Sequence, residues 1–404
     1  MRARLALAAF TLLCLAAVPA PLRVGTSGDY APFSIVAAYG ARSGFDVDVA
    51  GKLAESLGRK LEFVPFRWPE LLELAQQGSF DLVASGVTIR PDRVVNGRFT
   101  RPYAVSEAVV LIRRGEADRF RTLADLDRKE NRIAVNAGGY LESVARATFK
   151  QARVQPVTDN RTLTVPVATM HAEALVTDSM EQQQLPGPDR FVRLAALTRD
   201  RKALWVPNEL ADGGDARALN AAADAWLAAH NSEVDTLRLE WLGSGATMSN
   251  QAARLQAIVA LVDERNGIAP WIAAAKRAKN LPVVDPEREK KVLATAAERA
   301  RAAGLPEGAV VNLAAVLIET SKDIQRATGP VEPPVELGTL RDILNELDDR
   351  LVAELAAAPG LDAASLRSEL DAMPWPGVPQ ERKQQLADAL ALGSGIGGRG
   401  SRKK

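Results

Sequence analysis

One stretch allows fewer interpretations than any other part of the sequence. It reads Arg265-Asn266-Gly267-Ile268-Ala269-Pro270-Trp271-Ile272-Ala273-Ala274-Ala275-Lys276. Apolar residues recur at spacings of three and four from Leu255 to Ile272, which predicts one long amphipathic helix. Pro270 weakens that prediction, because an internal proline removes a hydrogen bond and kinks the axis. Arg265 and Lys276 are about three helical turns apart, so the pattern places both cations on one face.

A second helix is predicted a few residues later. Pro282 ends the first helix, and Asp285 followed by Pro286 is typical of an N-cap aspartate with proline in the first turn. Arg288 and Glu289 then fall in the first turns of the new helix. Two cations facing this pair would form a polar pocket for a small dicarboxylate, although spacing alone favours a solvated basic helix face.

The segment resembles the all-helical chorismate mutase family. Its pattern of Arg, eleven residues to Lys, nine to Asp and then Asp-x-x-Arg-Glu is present without a gap. Residues 318–325 resemble the family's last active-site helix, and the Asp-Pro pair resembles the secreted subclass. The resemblance implies catalytic roles for Arg265, Lys276, Arg288, Glu289 and Gln325, and substrate-binding roles for Asp285, Ser321 and Arg341.

The reaction that this family catalyses explains why its active site requires arginine, lysine and glutamine side chains. Rearrangement of chorismate to prephenate is pericyclic, so catalysis comes from holding a strained conformer and stabilising charge on the ether oxygen. The resemblance implies that the arginines clamp the two carboxylates and that Lys276 and Gln325 donate to the ether oxygen. Glu289, helped by Asp285, would receive the ring hydroxyl. A helical appendage without mutase activity is the alternative.

The first residues have the features of a targeting segment. Residues 1–4 carry positive charge, residues 5–18 are apolar, and Val18-Pro19-Ala20 resembles a small-residue cleavage site. The segment is too short to span a membrane. We therefore expect an exported, periplasmic protein with no membrane anchor after signal cleavage. Cys14, the one cysteine of the chain, lies in this segment, which excludes a disulfide scaffold in the mature protein.

Composition and patterning predict two domains. The 404 residues are 47% hydrophobic with a formal charge of +1, which indicates more than one core and gives no sign of a nucleic-acid partner. From Leu22, short strands alternate with helices, which predicts a parallel sheet with ligands at the carboxyl ends of its strands. The predicted strands are 22–26, 61–64, 81–84, 132–135 and 174–177, and the predicted helices are 47–57 and 68–77.

This part of the chain also resembles a known family. Residues 22–34, 44–50 and 85–88 resemble the two-lobed periplasmic solute-binding proteins for polar amino acids. Within that superfamily, Asn136-x-Gly138-Gly139 and Thr177-Asp178-x-x-Glu181 resemble the cyclohexadienyl dehydratases. The resemblance implies substrate-binding roles for Tyr30, Trp68, Ser85, Thr88, Arg93, Asn136 and Asp178. Lys202 either closes the cleft or is solvated.

Glu181 is the residue that separates an enzyme from a receptor. Dehydration of prephenate expels the ring hydroxyl as carbon dioxide leaves, so the protein must supply one proton to the departing oxygen. A carboxylic acid can do this near neutral pH only if burial raises its pKa. If this stretch is helical, Asp178 lies on the same face and raises the pKa of Glu181 further. Asp178 fits an amino-acid receptor equally well, so a solute receptor fused to a mutase is the alternative.

These interpretations predict a multidomain chain, with a two-lobed α/β periplasmic-binding-protein-like domain followed by an all-α chorismate mutase domain. Together they imply conversion of chorismate through prephenate to phenylpyruvate, with arogenate to phenylalanine as a further reaction. The resemblances imply no metal or organic cofactor, and a homo-oligomer is left open. The predicted divisions are a signal peptide 1–20, the dehydratase 21–243, a flexible linker 244–249, the mutase 250–392 and a flexible basic tail 393–404.

Overall fold

The computed structural model describes residues 19–395, so nearly all of the predicted signal peptide, with Cys14, and most of the predicted tail lie outside the described residues. The strands are β1 (Leu22–Thr26), β2 (Asp29–Tyr30), β3 (Ser34–Val36), β4 (Arg42–Ser43), β5 (Leu61–Pro65), β6 (Leu82–Val83), β7 (Gly97–Phe99), β8 (Ala104–Ser106), β9 (Ala108–Arg113), β10 (Arg132–Asn136), β11 (Arg153–Val157), β12 (Ala174–Asp178), β13 (Phe191–Ala196), β14 (Asp200–Lys202) and β15 (Trp205–Pro207). The α-helices are α1 (Phe45–Ser56), α2 (Leu71–Gln76), α3 (Pro91–Val94), α4 (Leu123–Leu126), α5 (Tyr140–Thr148), α6 (Val165–Ala168), α7 (Ala216–Ala229), α8 (Asn231–Leu237), α9 (Asn250–Gly267), α10 (Ala269–Ala278), α11 (Pro286–Ala303), α12 (Glu307–Ala327), α13 (Leu337–Ala357), α14 (Ala363–Asp371) and α15 (Gln380–Gly393).

Two five-stranded sheets form two lobes, with the orders β5-β1-β6-β15-β7 and β11-β10-β12-β9-β13. In the first lobe β1 is parallel to β5 and β6, and in the second β10 is parallel to β11 and β12. The predicted parallel pairing with crossover helices is confirmed for these strands, but both sheets are mixed, because β15 and β9 run antiparallel to their neighbours. Each of these strands follows directly after a crossing between the lobes, so it enters its sheet from the opposite end.

The two crossings lie side by side. Strand β8 leads into the second lobe and β14 leads back, and they pair antiparallel with Lys202 opposite Ala104. The parallel strands β1, β6, β10 and β12 end towards this pair. A cleft between the lobes therefore has a hinge at its base, and the loops after these strands supply its walls.

The chain after residue 249 is helical, but the predicted long helix is two helices. Helix α9 ends at Gly267 and α10 begins at Ala269, with Pro270 in the first turn of α10. Proline is well tolerated there, because the missing N–H has no intrahelical partner in that turn. The predicted cap of α11 is confirmed, since a side-chain oxygen of Asp285 accepts a hydrogen bond from the backbone N–H of Arg288 at 3.0 Å.

The helical part packs directly on the first lobe. Ile258 and Val262 of α9 share one hydrophobic core with Phe80 and Trp205 of that lobe. Residues 244–249, for which the sequence predicts flexibility, contain a short 3-10 turn and are hydrogen-bonded to two residues of α8. The backbone N–H of Met248 donates to Asp235 at 2.7 Å, and its carbonyl accepts from Asn231 at 2.9 Å.

A buried ionic network joins the helical part to the hinge. Arg201, on β14, is only 3% exposed, and its guanidinium donates to Glu369 of α14 at 2.8 Å and to Gln256 of α9 at 2.9 Å. The same carboxylate pairs with Arg199 at 2.6 Å. One acidic side chain of the helical part therefore balances two arginines at the crossing between the lobes.

We expect replacement of Glu369 by alanine to lower the free energy of unfolding by about 2 to 3 kcal/mol, because the substitution removes the carboxylate that pairs directly with the buried guanidinium of Arg201. Urea denaturation of the purified chain measures this difference. Glu332→Ala, in an exposed loop, is the matched control and should leave the midpoint unchanged. Equal urea midpoints for the Glu369 variant and the parent would show that the network adds no net stability.

Candidate active sites

One pocket in the helical part collects the residues that the mutase resemblance singles out. They come from the ends or inner faces of five helices, and the pocket lies among those helices. The pocket is lined by Arg265 of α9, Lys276 of α10, Asp285, Arg288 and Glu289 at the start of α11, Ser321 and Gln325 of α12, and Arg341 of α13. Although the helix breaks at Ile268, between Arg265 and Lys276, both cations line the same pocket.

Two of the cations in this pocket are held by the protein itself. The guanidinium of Arg265 donates to Asp348 at 2.9 Å and to the carbonyl of Leu317 at 3.1 Å. The ammonium of Lys276 donates to the carbonyl of Val283 at 2.8 Å. Burial, followed by repulsion from Arg341, lowers the pKa of Lys276. Both side chains are therefore oriented before any ligand binds.

The side chains of Arg288 and Arg341 make fewer contacts with other protein groups than those of Arg265 and Lys276. Within residues 19–395, the Arg288 side chain makes no hydrogen bond and no ion pair within 4.0 Å, and it is only partly buried. The guanidinium of Arg341 lies 3.8 Å from Asp285. A planar guanidinium fork can bind a carboxylate with two parallel hydrogen bonds. These two side chains therefore leave donors available for an anionic ligand.

Sequence reasoning missed Lys322 and Asp348 in this pocket. The ammonium of Lys322 lies 3.1 Å from Glu289 and 2.5 Å from Glu319. Glu289, which the resemblance assigns to a ring hydroxyl, is thus already paired with a cation. The signal for Lys322 was present in the sequence, because it directly follows Ser321 in the motif. Asp348 left no such signal, because its contact with Arg265 joins residues far apart in the chain.

Gln325 is oriented by Ser321. Its amide nitrogen donates to the Ser321 hydroxyl at 3.0 Å, while its amide oxygen is buried without a partner. The two amide ends are nearly isosteric, and their assignment follows from hydrogen bonding alone. In the flipped orientation the serine hydroxyl donates to the oxygen, and the NH₂ group takes the place of the atom that has no partner. That orientation satisfies the buried oxygen and makes Gln325 a donor to a ligand.

The second site lies in the cleft between the lobes. Five of the predicted cleft residues line one pocket there, namely Tyr30, Trp68, Thr88, Arg93 and Asn136. The turn after β6 must carry glycine at position 86, because a Cβ there would lie 2.5 Å from the Tyr30 ring and the backbone φ is +62°. The absence of a side chain at this turn thus lets the Tyr30 ring lie against it.

Three predicted cleft residues do not line that pocket. Ser85 is buried and its hydroxyl accepts from the backbone N–H of Ser27 at 3.1 Å, so it supports the turn after β1. Asp178 and Glu181 are buried next to the cleft rather than exposed in it. The sequence left open whether the stretch from Asp178 to Glu181 is helical; it is a tight turn, in which the Glu181 N–H donates to the Asp178 carbonyl at 3.0 Å.

Lys202 is the cation at the base of the cleft. It is 3% exposed, so the structure removes the alternative of a solvated lysine. Its ammonium lies 3.0 Å from Asp178, donates to the Thr88 hydroxyl at 2.7 Å, and sits 5.4 Å from the centre of the Tyr30 ring. Lys202 belongs to the hinge strand β14. This ion pair therefore joins the hinge to the end of β12 in the second lobe.

Arg93 supplies a second cation on the first lobe. Its guanidinium lies 5.8 Å from the centre of the Trp68 ring and donates to the Thr88 carbonyl at 2.8 Å. Burial lowers the pKa of Arg93 to about 10, which leaves it charged near neutral pH. A buried guanidinium held against an aromatic ring is suited to bind the carboxylate of a small ligand.

Glu181 has the environment of a carboxylic acid that stays protonated. The Thr177 hydroxyl donates to one of its oxygens at 2.6 Å. Burial, with smaller contributions from Asp178 and Asp29, raises the pKa of Glu181 to about 8. Near neutral pH most of this carboxyl is therefore neutral and able to give up a proton. Burial likewise raises the pKa of Asp29, one of whose oxygens has no partner.

Comparison with known proteins identifies the family of this chain. Residues 22–303 match the family model of bacterial extracellular solute-binding proteins, family 3. The chain belongs to this family. Among curated members, it is 39% identical over 160 residues to the cyclohexadienyl dehydratase of Pseudomonas aeruginosa, over 40% of this chain and 60% of that protein. It is 28% identical over 159 residues to the L-cystine-binding protein TcyJ of Escherichia coli, over 39% of this chain and 59% of that one.

Solved structures of family 3 relatives agree with the two-lobed architecture. One is an ancestral amino acid-binding protein described as a precursor of cyclohexadienyl dehydratase, which is 31% identical with a TM-score of 0.50. The alignment covers 95% of that protein but 55% of this chain. The chain thus contains a large segment beyond that match, while the curated relatives named above are matched over about 60% of their length or less.

Two further properties concern the part of the chain from residue 19 to residue 395. None of its helices is both long and apolar enough to cross a membrane. It also brings together no group of three or more His, Cys, Asp or Glu side chains that could hold a metal ion.

Proposed function

We propose that this family 3 protein is a bifunctional enzyme that converts chorismate to prephenate in its helical part and prephenate to phenylpyruvate in its cleft. The observation that carries the proposal is the convergence of Arg265, Lys276, Arg288 and Gln325, from four different helices, on one pocket. A solvated basic helix face would leave these side chains apart. Their shared pocket supports the dicarboxylate-binding interpretation.

In the proposed mutase reaction the pocket acts by position and charge. Arg288 and Arg341 hold the two carboxylates of chorismate, and the Nη2 of Arg265, which has no partner within the described residues, can add a further donor. Lys276 and the flipped amide of Gln325 donate to the ether oxygen as its bond to carbon breaks. Lys322 and Asp348 hold Glu289 and Arg265 in place. No proton has to leave the substrate, so preorganised charge supplies the catalysis.

In the proposed dehydratase reaction the cleft binds an anion and delivers a proton. Arg93 and Lys202 attract the carboxylates of prephenate, while the neutral carboxyl of Glu181 protonates the leaving hydroxyl as carbon dioxide departs. The identity to a cyclohexadienyl dehydratase supports this assignment. Arogenate, which differs from prephenate by an amino group in place of the keto oxygen, is a candidate second substrate because Asp178 lies beside the cleft.

An amino-acid receptor is the second candidate for the cleft. Arg93 and Asp178 could hold the carboxylate and the ammonium of an amino acid, and the similarity to an L-cystine-binding protein favours this alternative. Glu181 discriminates between the two, because a receptor has no use for a buried proton donor. We also propose that the protein is exported to the periplasm, in keeping with the extracellular family to which it belongs.

The test is to follow both reactions in the purified chain. With chorismate, we expect chorismate to disappear, prephenate to pass through a maximum, and phenylpyruvate to accumulate as seen by its ultraviolet absorption. With prephenate alone, phenylpyruvate should form without a lag, and arogenate should be tested in parallel. Saturable amino-acid binding with no phenylpyruvate from prephenate would establish the receptor instead, while unchanged chorismate would refute the mutase.

A further inference from the structure

A separate cavity lies between the first lobe and the helical part. Its volume is about 660 Å³, and it is bounded by α7 of the lobe and by α9 and α13. Its apolar wall consists largely of alanines, including Ala221, Ala225 and Ala228 of α7 and Ala257 and Ala260 of α9. Short side chains on both helices leave an apolar space of the size that small-molecule sites have.

Most charges around this cavity are already balanced. Arg101 pairs with Asp224 at 2.8 Å and with Glu354 at 2.6 Å. Arg217 pairs with Glu346 at 3.2 Å. These ion pairs connect the two sides of the cavity and leave its rim close to neutral. They provide no reason to expect a ligand by themselves.

Two ionisable side chains on the cavity wall, one acidic and one basic, lack an ionic partner within residues 19–395. Glu264 of α9 is 3% exposed, and within residues 19–395 it accepts no hydrogen bond and has no cation within 4.0 Å. Arg350 of α13 donates to the carbonyl of Phe99 at 2.7 Å but has no carboxylate within 4.0 Å in the same part of the chain. Glu264 and Arg350 both line this cavity, but their charged ends lie more than 4.0 Å apart.

We propose that this cavity binds a zwitterionic α-amino acid with an apolar side chain, whose ammonium contacts Glu264 and whose carboxylate contacts Arg350. The two charges of such a ligand are carried on adjacent carbon atoms, so one molecule can bridge a gap that is too wide for a direct ion pair. The ligand side chain then lies against the alanines of α7 and α9. A buried polar group without a partner is costly, and the ligand removes that cost at Glu264, while Arg350 gains a charged acceptor beside its bond to the Phe99 carbonyl.

The state of Glu264 gives the proposal a pH signature. Burial chiefly, with Asp263, Asp224 and Glu346 adding to it against Arg350, raises the pKa of Glu264 to about 8. In the empty cavity the carboxyl is therefore mostly protonated at pH 7, and binding an ammonium releases that proton. Affinity should rise with pH between about 6 and 8, by up to roughly tenfold per unit.

Calorimetric titration with L-phenylalanine and L-leucine tests the proposal on the full chain. We expect saturable binding that is weakened roughly 10- to 100-fold by Glu264→Gln, a nearly isosteric change that removes the charge. Glu332→Gln is the matched control and should bind as the parent does. 3-Phenylpropionate and 2-phenylethylamine each lack one charge of L-phenylalanine, so both should bind more weakly. Heats measured in two buffers of different ionisation enthalpy should reveal the released proton.

The interlobe cleft is a competing site for these probes, and Asp178→Asn separates the two. Binding that is lost in Asp178→Asn but kept in Glu264→Gln belongs to the cleft and overturns the proposal. Binding that survives Asp178→Asn, depends on Glu264 and rises with pH supports it. If Glu264→Gln does not fold, as judged by its thermal unfolding, Arg350→Gln provides the same test at the carboxylate end. Absence of saturable binding of either amino acid to the parent also overturns the proposal.

Discussion

Replacing Arg288 with alanine should lower kcat/KM for chorismate by about 10²- to 10³-fold, the usual cost of removing a hydrogen-bond donor that stabilises charge in an active site. Arg288 is the cation in the helical pocket whose side chain makes no hydrogen bond or ion pair within residues 19–395. Its removal therefore takes away ligand binding without breaking an internal contact. Initial rates of chorismate disappearance over a range of concentrations measure the effect.

Two controls make this result specific. Lys290→Ala removes an exposed cation from the same helix α11 and should leave chorismate kinetics unchanged. Formation of phenylpyruvate from added prephenate by the Arg288 variant should equal that of the parent, because the cleft is a separate site. Arg288→Lys keeps the charge but loses the planar fork, so we expect an intermediate loss. Unaltered kcat/KM in the alanine variant would show that the helical part is an appendage without this activity.

The arrangement of the pocket in the helical part could be predicted because the sequence information that specifies it is local. The Asp285 cap, its following proline and the Arg288-Glu289 pair lie within one helix start, and local sequence specifies how such a start is built. The helix prediction was wrong at this point, but Arg265 and Lys276 still line one pocket. Pro270 lies in the first turn of α10, so the chain is helical again directly after the break. The local pattern thus placed Arg265 and Lys276 at one pocket although the predicted helix boundary was wrong.

Contacts between distant parts of the chain could not be predicted in the same way. Asp348 holds Arg265, Glu369 balances Arg201 at the hinge, and Lys202 reaches Asp178 across the lobes. Each contact depends on how complete elements pack, and no periodicity in the sequence records it. The mixed order of both sheets has the same origin, because the strand that follows a crossing takes its direction from the hinge. The sequence therefore contained no sign of the roles of Asp348 and Glu369, and it left the role of Lys202 undecided.

Replacing Glu181 with glutamine should lower kcat for dehydration of prephenate by about 10²- to 10⁴-fold, the range expected for losing a general acid. Glutamine can still accept the hydrogen bond that the Thr177 hydroxyl donates at 2.6 Å, so the turn after β12 is expected to keep its shape. The pocket in the helical part is unaffected by this substitution, so under the proposed function chorismate should still be consumed and prephenate should accumulate. Product analysis of a chorismate reaction measures both effects at once.

The pH profile gives an independent test of the same role. Burial raises the pKa of Glu181 to about 8, so the proton-donating form is dominant below that pH and is lost above it. We therefore expect kcat for prephenate to be level near pH 6 to 7 and to fall roughly tenfold per unit well above pH 8. The residual rate of Glu181→Gln should lack this fall, whereas Glu130→Gln, an exposed substitution in the same lobe, should retain it. A parent enzyme whose kcat rises with pH through 8 would require Glu181 to act as a base, and the proton-donor role would be wrong.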